Sequence, residues 1–433
     1  MEVMLGYKSS DVGMIPEDWE IVSVRQLVEA AILEKPLDGN HGNIHPKSSD
    51  YVDYGIPFVM ANNFVNGELD LNNCKFIKRE RADKLQKGFA VTGDILLTHK
   101  GTVGSTAIVG ELNTAYIMLT PQVTYYRVKD ANQLDNRFLK HYFDNSRFQS
   151  LFESLAGGGT RAYLGIVKQL ELPIIKPSID EQRAIAQALS NVDAFLATLD
   201  QVIAKKRDLK QAAMQQLLTG KTRLPGFNRE WEAKKLGHAG CCLRGVSYRG
   251  NDDLSPHDTA FTKRLLRSNN VQNALVMTND VQFVNDKRVA QIQVLQKNDI
   301  LICMANGSKA LVGKAGQFSI NDGFDYTFGA FMGCFRTDES IADPVFVFSL
   351  FQTGRYRDYI NNLLAGSSIN NLSPSSIESL EFSFPPYSEQ IAIGQVLAEM
   401  DNEIAALEAR LDKTSNLKQA MMQELLTGKT RLA

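Results

Sequence analysis

Cysteine and surplus charge are both scarce in this 433-residue chain, and each scarcity removes a class of protein. Five cysteines (Cys74, Cys241, Cys242, Cys303, Cys334) form no C-x-x-C pair and no even framework. That argues against a disulfide scaffold and for reduced thiols in the cytoplasm. The formal net charge of -2 excludes both a strongly basic coat for nucleic acid and an acidic solvating tail. No run of about 18 consecutive apolar residues occurs, so no membrane-spanning helix and no membrane partner are expected. The opening Met1-Glu2-Val3-Met4 lacks the basic-then-apolar plan of a secretory signal. Hydrophobic residues make up 44% and charged residues 22%. That is an ordinary globular balance, and at roughly 150 residues per domain the length predicts two or three domains.

What the chain does contain is a repeat of itself. Residues 181–224 align without a gap on 389–432 at an offset of 208, with 24 of 44 positions identical; over 209–224 only two of sixteen differ. Upstream the likeness weakens but persists. FVMANNF at 58–64 lines up with LLRSNNV at 265–271, and Gly93-Asp94-Ile95-Leu96-Leu97 with Asn298-Asp299-Ile300-Leu301-Ile302. Val109-Gly110 matches Val312-Gly313, and Trp19 has a counterpart in Trp231. The chain therefore reads as two half-length copies, each a long divergent segment followed by a short, well-preserved one.

The preserved segments read as long helices. Ile185, Leu189, Val192, Leu196, Leu199 and Ile203 recur at alternating spacings of four and three, and Ile393, Leu397, Met400, Ile404, Leu407 and Leu411 repeat the phase. Such an a/d seam predicts two matched helices that pair antiparallel as a coiled coil between two globular domains. Asp180 and Ser388 are predicted as N-caps and Gly220 and Gly428 as C-terminal glycines, giving helices of about 39 residues and 58 Å. The seam breaks near Lys205-Lys206-Arg207 and Lys413-Thr414, then resumes in shifted phase. In the divergent segments, strands are predicted over 94–97, 122–128 and 299–303, and helices over 136–155 and 343–364. The fold class is accordingly α/β or α+β: two globular domains, two long helices and a pseudo-twofold internal repeat. The boundaries are 1–175, 176–224, 225–382 and 383–433.

Catalytic motifs fail on inspection. Gly220-Lys221-Thr222 and Gly428-Lys429-Thr430 mimic the end of a P-loop, but Gln215 stands where the first glycine belongs, and a helix is ending rather than starting. Phe384-Pro385-Pro386-Tyr387 resembles the Pro-Pro-Tyr loop of adenine methyltransferases, yet Phe384 cannot accept a hydrogen bond from an amino group. A proline-rich entry turn is the simpler account. His41-x3-His45, and His238 near Cys241 and Cys242, lack a second pair of ligands, so no metal is expected. No G-x-S-x-G elbow or carboxylate pair is present, and no catalytic residue is assigned.

Two like helices beside two unlike domains suit two identical partners and two different ligands, such as dissimilar half-sites on DNA. At this point the residues resemble a known family, the specificity (S) subunits of type I restriction-modification systems, over essentially the whole length. The carrying motifs are Gly93-Asp94-Ile95-Leu96-Leu97-Thr98 with Gly101-Thr102-Val103-Gly104, and Leu172-Pro173-Ile174 followed by Glu181-Gln182-Arg183-Ala184-Ile185-Ala186. The second copy gives Asn298-Asp299-Ile300-Leu301 and Pro385-Pro386-Tyr387-Ser388-Glu389-Gln390-Ile391-Ala392-Ile393. It departs at Met304-Ala305-Asn306-Gly307-Ser308, where the first has Thr98-His99-Lys100-Gly101-Thr102.

The resemblance implies two target-recognition domains, each reading half of a bipartite, gapped sequence in double-stranded DNA, joined by the paired helices. It implies a non-catalytic subunit that recruits two modification subunits, which bind S-adenosylmethionine and methylate adenine, and restriction subunits, which translocate and cut with ATP and Mg. No cofactor is expected in this chain. The alternatives are a self-contained methyltransferase or nuclease, which lacks its motifs here, and a protein-only scaffold.

Base edges are read by Arg, Lys, Asn and Gln, and phosphates are held by cations and hydroxyls. The candidates in the first domain are Asn62, Asn63, Lys78, Arg79, Arg81 and Lys100; in the second they are Lys263, Arg264, Arg267, Asn269, Asn270 and Lys309. A plainer reading makes the two Asn-Asn pairs turn residues kept by both copies. The near-identical tails nominate Leu209, Met214, Leu217 and Leu218, with Leu417, Met422, Leu425 and Leu426, for docking the modification subunits. Residues 17–171 hold 17 Lys/Arg against 19 Asp/Glu, and 228–380 hold 16 against 15. Near-neutral domains gain little from counterion release, so the isolated chain is expected to bind DNA weakly.

Overall fold

A computed structural model describes residues 6–10, 12–65, 67–157, 162–365 and 370–432. The chain forms two compact units, residues 1–200 with 410–433 and residues 201–409. The spans 176–224 and 383–433 thus do not stand apart as units of their own, because each unit takes a part of both. Both units mix helix and sheet in the α+β manner.

The first unit contains a four-stranded sheet in the order Thr102–Ile108, Ile95–Lys100, Val123–Tyr126, Leu37–Asp38 and a five-stranded sheet in the order Phe89–Ala90, Ile117–Leu119, Ile56–Val59, Lys75–Ile77, Tyr51–Val52. In the latter, Ile56–Val59 runs antiparallel to Lys75–Ile77 and parallel to Ile117–Leu119. The second unit has the corresponding order Leu254–Ser255, Gln282–Asn285, Thr262–Leu266, Tyr326–Phe328, again with one parallel pair, between its last two strands. Its other main sheet pairs Ile300–Cys303 with Met332–Thr337 and Ala315–Gln317.

The G-D-I-L-L motif explains its own sequence. Gly93 has φ +90° and Asn298 has φ +73°, a left-handed turn that glycine and asparagine tolerate best. The next residue closes that turn: Asp94 Oδ2 accepts from the Val91 amide at 2.8 Å and Asp299 Oδ2 from the Gln296 amide at 2.7 Å. Each carboxylate, 1–2% exposed, is also gripped bidentately, by Arg127 at 2.8 and 2.8 Å and by Arg336 at 2.9 and 2.6 Å. These bonds hold both guanidinium groups above their ordinary pKa. The apolar residues that follow are fully buried strand.

The two long helices span Ile179–Leu217 and Tyr387–Leu425, 39 residues each. They begin earlier than expected. Ser178 Oγ accepts from the Glu181 amide at 3.3 Å, and the Glu389 amide donates to the Pro386 carbonyl at 2.9 Å, so Asp180 and Ser388 lie inside the first turn rather than capping it. Gly220 and Gly428 adopt φ +69° and +70° in the closing turns. Within the first unit Glu181 meets Arg431, Asp193 meets Lys418 and Phe195 meets Arg410; within the second, Arg207 meets Glu408, Lys210 meets Asp401 and Arg223 meets Glu389. Partners ascend one segment while descending the other, so in each unit the segments run antiparallel. Where the apolar seam lapses at Lys205-Lys206-Arg207, these ion pairs and Lys206–Glu403 take its place.

The helix expected over 136–155 is two, Asn136–Asp144 and Ser146–Ala156, because extended Asn145 caps the second through the Arg147 amide and donates to the Met422 carbonyl at 3.3 Å. The helix expected over 343–364 is likewise Pro344–Leu350 and Gly354–Ala365. All five cysteines are free, and burial pushes the Cys242 thiol up to about 12.

Candidate functional site

The Glu-Gln pair that opens each long helix is a structural keystone. Glu181 accepts from Trp19 Nε1 at 3.0 Å and from Arg431 Nε and Nη2 at 2.5 and 2.8 Å. Glu389 repeats this with Trp231 Nε1 at 3.2 Å and Arg223 Nε and Nη2 at 2.6 and 2.6 Å. Each arginine lies over its tryptophan ring, 5.6 and 5.5 Å from the centroid. Hydrogen bonds to Glu181 and Asp18 raise the Arg431 pKa, and those to Glu389 raise that of Arg223. Gln182 Oε1 accepts from the Asp135 amide at 3.0 Å while its Nε2 donates to the Pro177 carbonyl at 2.9 Å; Gln390 makes the same bonds to Asp343 and Pro385. The tail of each helix therefore closes onto the head of the other.

That closure corrects the docking assignment. Met214, Leu217 and Leu218 are 5–8% exposed inside the second unit's core, and Met422, Leu425 and Leu426 are 1–4% exposed inside the first unit's core. Their likeness is internal to the chain, since each tail seals its own unit beside a tryptophan. Only Leu209 and Leu417 of this set are exposed, at 47% and 56%. Leu417 borders an apolar groove of about 330 Å³ in the first unit, with Ala188, Ala420, Met421 and Leu432 among its walls.

The DNA candidates differ in burial and in pairing. Asn63 and Asn270 are buried turn residues: each side-chain Oδ1 accepts the amide three residues earlier, Met60 at 2.9 Å and Arg267 at 2.8 Å. Asn270 Nδ2 also donates to the Met277 and Asn279 carbonyls. Both are withdrawn as base readers. Asn62 is exposed, and Asn269 is exposed with its Nδ2 on Asp280 at 2.8 Å. Lys78 and Arg79 are exposed at the far end of the strand Lys75–Ile77 from Asn62. Arg81 is half-buried, bonded to the Ile44 carbonyl at 2.8 Å and 3.6 Å from Asp50.

Lys100 is exposed at the end of its strand, its Nζ 5.9 Å from the Tyr163 ring centroid. In the second unit the chain's own carboxylates occupy the cations. Lys263 pairs with Asp325 at 2.5 Å, Arg267 with Asp280 at 3.1 Å, and Arg264 with Asp258 and Asp322 at 3.0 and 3.1 Å. Arg264 also stacks 3.3 Å from the Phe324 centroid. These three are corrected to scaffold roles, because charge already neutralised adds little to phosphate attraction. Lys309 is exposed, in the short turn Lys309–Leu311, with Nζ 3.4 Å from the Leu364 carbonyl.

The departure after residue 303 is a real change of form. The first unit continues from Lys100 through Gly101 into the strand Thr102–Ile108, whereas the second breaks after Cys303. Both segments are still tied by one backbone bridge, Lys100 to Tyr163 and Ala305 to Asn371. His41 bonds to Asp38 at 2.6 Å and His45 to the Asn40 carbonyl at 3.1 Å. No group of three potential ligands that could hold a metal occurs among the described residues. His99 is fully buried, with burial lowering its pKa and Nδ1 on the Leu164 carbonyl at 3.0 Å. No described helix is long and apolar enough to cross a membrane. Sequence reasoning passed over Tyr54, Phe261, Lys287 and Arg288, all exposed beside the antiparallel strand pairs.

Two units of one plan, each bracketed by the same Trp–Glu–Arg closure, define a class. The family model of the type I restriction modification DNA specificity domain matches residues 16–206 and 228–414, and the chain belongs to that family. The type I restriction enzyme StySPI specificity subunit of Salmonella potsdam and the EcoKI specificity subunit of Escherichia coli are each 29% identical over 198 residues. Those matches cover 46% of this chain and 42% of each relative, so the chain spans about two fifths of their length. A Methanocaldococcus jannaschii specificity subunit, MjaX, is 21% identical over 98% of this chain and 97% of its own. The fold is shared with the S subunit of a type I system from M. genitalium, with a TM-score of 0.57 at 15% identity over 94% of this chain and 96% of that one.

Proposed function

We propose that this chain is the DNA-recognition subunit of a type I restriction-modification complex and performs no chemistry itself. The single observation carrying this reading is that the two family matches fall largely on separate units, each of which repeats the same run of strand pairings, an antiparallel pair followed by a parallel one. Each unit would read one half of a gapped double-stranded target. The long helices, paired as an antiparallel coiled coil within a pseudo-twofold repeat, would set the gap. Two modification subunits would dock on the exposed apolar positions Leu209 and Leu417, bringing S-adenosylmethionine; restriction subunits would bring ATP and Mg. Asn62, Lys78, Arg79 and Lys100, with Asn269 and Lys309, are the remaining contacts this reading assigns to DNA. The test is to co-express the chain with its neighbouring modification subunit and map N6-methyladenine across the host genome. A gapped, two-part motif is expected; a continuous motif, or a stable complex that methylates nothing, overturns the reading.

A further inference from the structure

The two units share one exposed feature that packing does not explain. Tyr54 is 86% exposed and Phe261 is 73% exposed. They stand 207 residues apart, the separation that also relates Ile56 to Lys263 and Ile77 to Val284, partners at the same register in the two sheets. Each sits in the loop that enters the strand shared by the antiparallel and parallel pairs. The mounting is firm in both. A Cβ on Gly55 would lie 2.4 Å from the Ile77 carbonyl oxygen, so the loop carrying Tyr54 lies tight against that strand end. The Phe261 carbonyl accepts from the Asp286 amide at 2.9 Å, and Thr262 Oγ1 accepts from the Thr259 amide at 2.8 Å.

Cations flank both rings. The segment leaving the adjoining strand carries exposed Lys78 and Arg79 in one unit and exposed Lys287 in the other. Corresponding arginines steady it: Arg81 lies 3.6 Å from Asp50, and Arg288 lies 2.7 Å from Asp253. Two other exposed aromatics, Phe331 and Tyr163, are not shared in this way. Phe331, 72% exposed, has Gln122 in its place, since the Met304 amide bonds to the Phe331 carbonyl as the His99 amide does to that of Gln122. Tyr163 has Asn371.

Side chains common to two domains cannot be what distinguishes their targets. An exposed ring repeated in both units therefore serves the part of binding that is common to both half-sites, and stacking on a base is such a contact because every base offers a π-face. An apolar wedge between base steps likewise unstacks and bends a duplex without reading the hydrogen-bonding edge of any base. We infer that Tyr54 and Phe261 are a matched pair of wedges, each inserting its ring into the base stack of its own half-site while the neighbouring cations hold the phosphates. This rests on the DNA-recognition reading above.

The test uses the complex of the full chain with its modification subunit and a duplex bearing the mapped motif, with 2-aminopurine placed in turn through each half-site. Wild-type complex should brighten the probe at one step per half. Tyr54→Ala should abolish the brightening in one half only and weaken binding about tenfold, with Phe261→Ala doing the same in the other half. Tyr54→Phe and Phe261→Tyr should keep both signals. Unchanged urea midpoints in all four variants separate lost stacking from lost folding. Alanine variants that bind within twofold of wild type with unaltered fluorescence overturn the inference while leaving DNA recognition intact. A wild-type complex that shows no preference for the mapped duplex instead sinks the recognition reading, and the inference with it.

Discussion

Removing Arg127 tests whether the G-D-I-L-L motif is a structural clasp or a DNA contact. The Asp94 carboxylate is 1% exposed and takes two hydrogen bonds from this guanidinium, which also donates to the Phe89 carbonyl at 2.8 Å. Arg127→Ala leaves that carboxylate buried with only the Val91 amide. Breaking a buried pair costs about 3–5 kcal/mol. The arginine side chain is itself 27% exposed, so water partly reaches the site and the low end, about 3 kcal/mol, applies. With a urea slope of about 2–3 kcal/mol/M, the unfolding midpoint should fall by about 1–1.5 M. Arg127→Lys keeps the charge but loses the bidentate geometry and should fall between. A cycle with Asp94→Ala should show coupling of about 2 kcal/mol or more. Stabilities within about 0.5 kcal/mol of wild type, together with lost methylation in the assembled complex, would refute the clasp and move Arg127 to the DNA surface.

Three further outcomes follow from the same geometry. Burial lowers the His141 pKa to about 4, so this ring stays neutral in the fold but protonates near 6.5 when unfolded. Its contribution is present above about 6.5 and lost as pH falls toward 4, about 2 kcal/mol between pH 7 and pH 5. Urea titrations of His141→Gln should show a flatter acid limb. At the proposed docking position, Leu417→Lys should leave stability within about 0.5 kcal/mol yet abolish co-purification with the modification subunit. Leu425→Asp should unfold the first unit by about 3 kcal/mol or more, because it buries a charge in the core. Retained co-purification of Leu417→Lys contradicts the docking assignment. Inserting four residues into each long helix lengthens it by about 6 Å. At about 3.4 Å per base pair the methylated motif's gap should grow by one or two pairs, and an unchanged gap removes the helices as its ruler.

Much of the architecture was legible because it is written in local pattern. The matched periodicity gave two helices whose observed length is 39 residues, and the glycines at 220 and 428 marked their ends. The left-handed position shared by Gly93 and Asn298 could be guessed from the two residue types alone. What escaped was fixed by partners far away in the chain. Nothing near Glu181 announces Arg431, 250 residues on, so the copied tails looked surplus to folding and were assigned outward to partner subunits. A linear reading counts Lys263, Arg264 and Arg267 as free cations, since their aspartates at 325, 322 and 280 meet them only in the sheet. Likewise the break at Asn145 answers to the Met422 carbonyl. The candidate base readers were the least legible, because exposure decides that role and sequence does not carry exposure.

The account's central claim is that each unit reads one half of the target independently. The direct measurement is a methylation map made with the segment 17–172 exchanged for that of another specificity subunit, the chain otherwise intact and co-expressed with its modification subunit. The account predicts that one half of the gapped motif changes while the other half and the gap stay the same. A motif altered in both halves, or in neither, would contradict it.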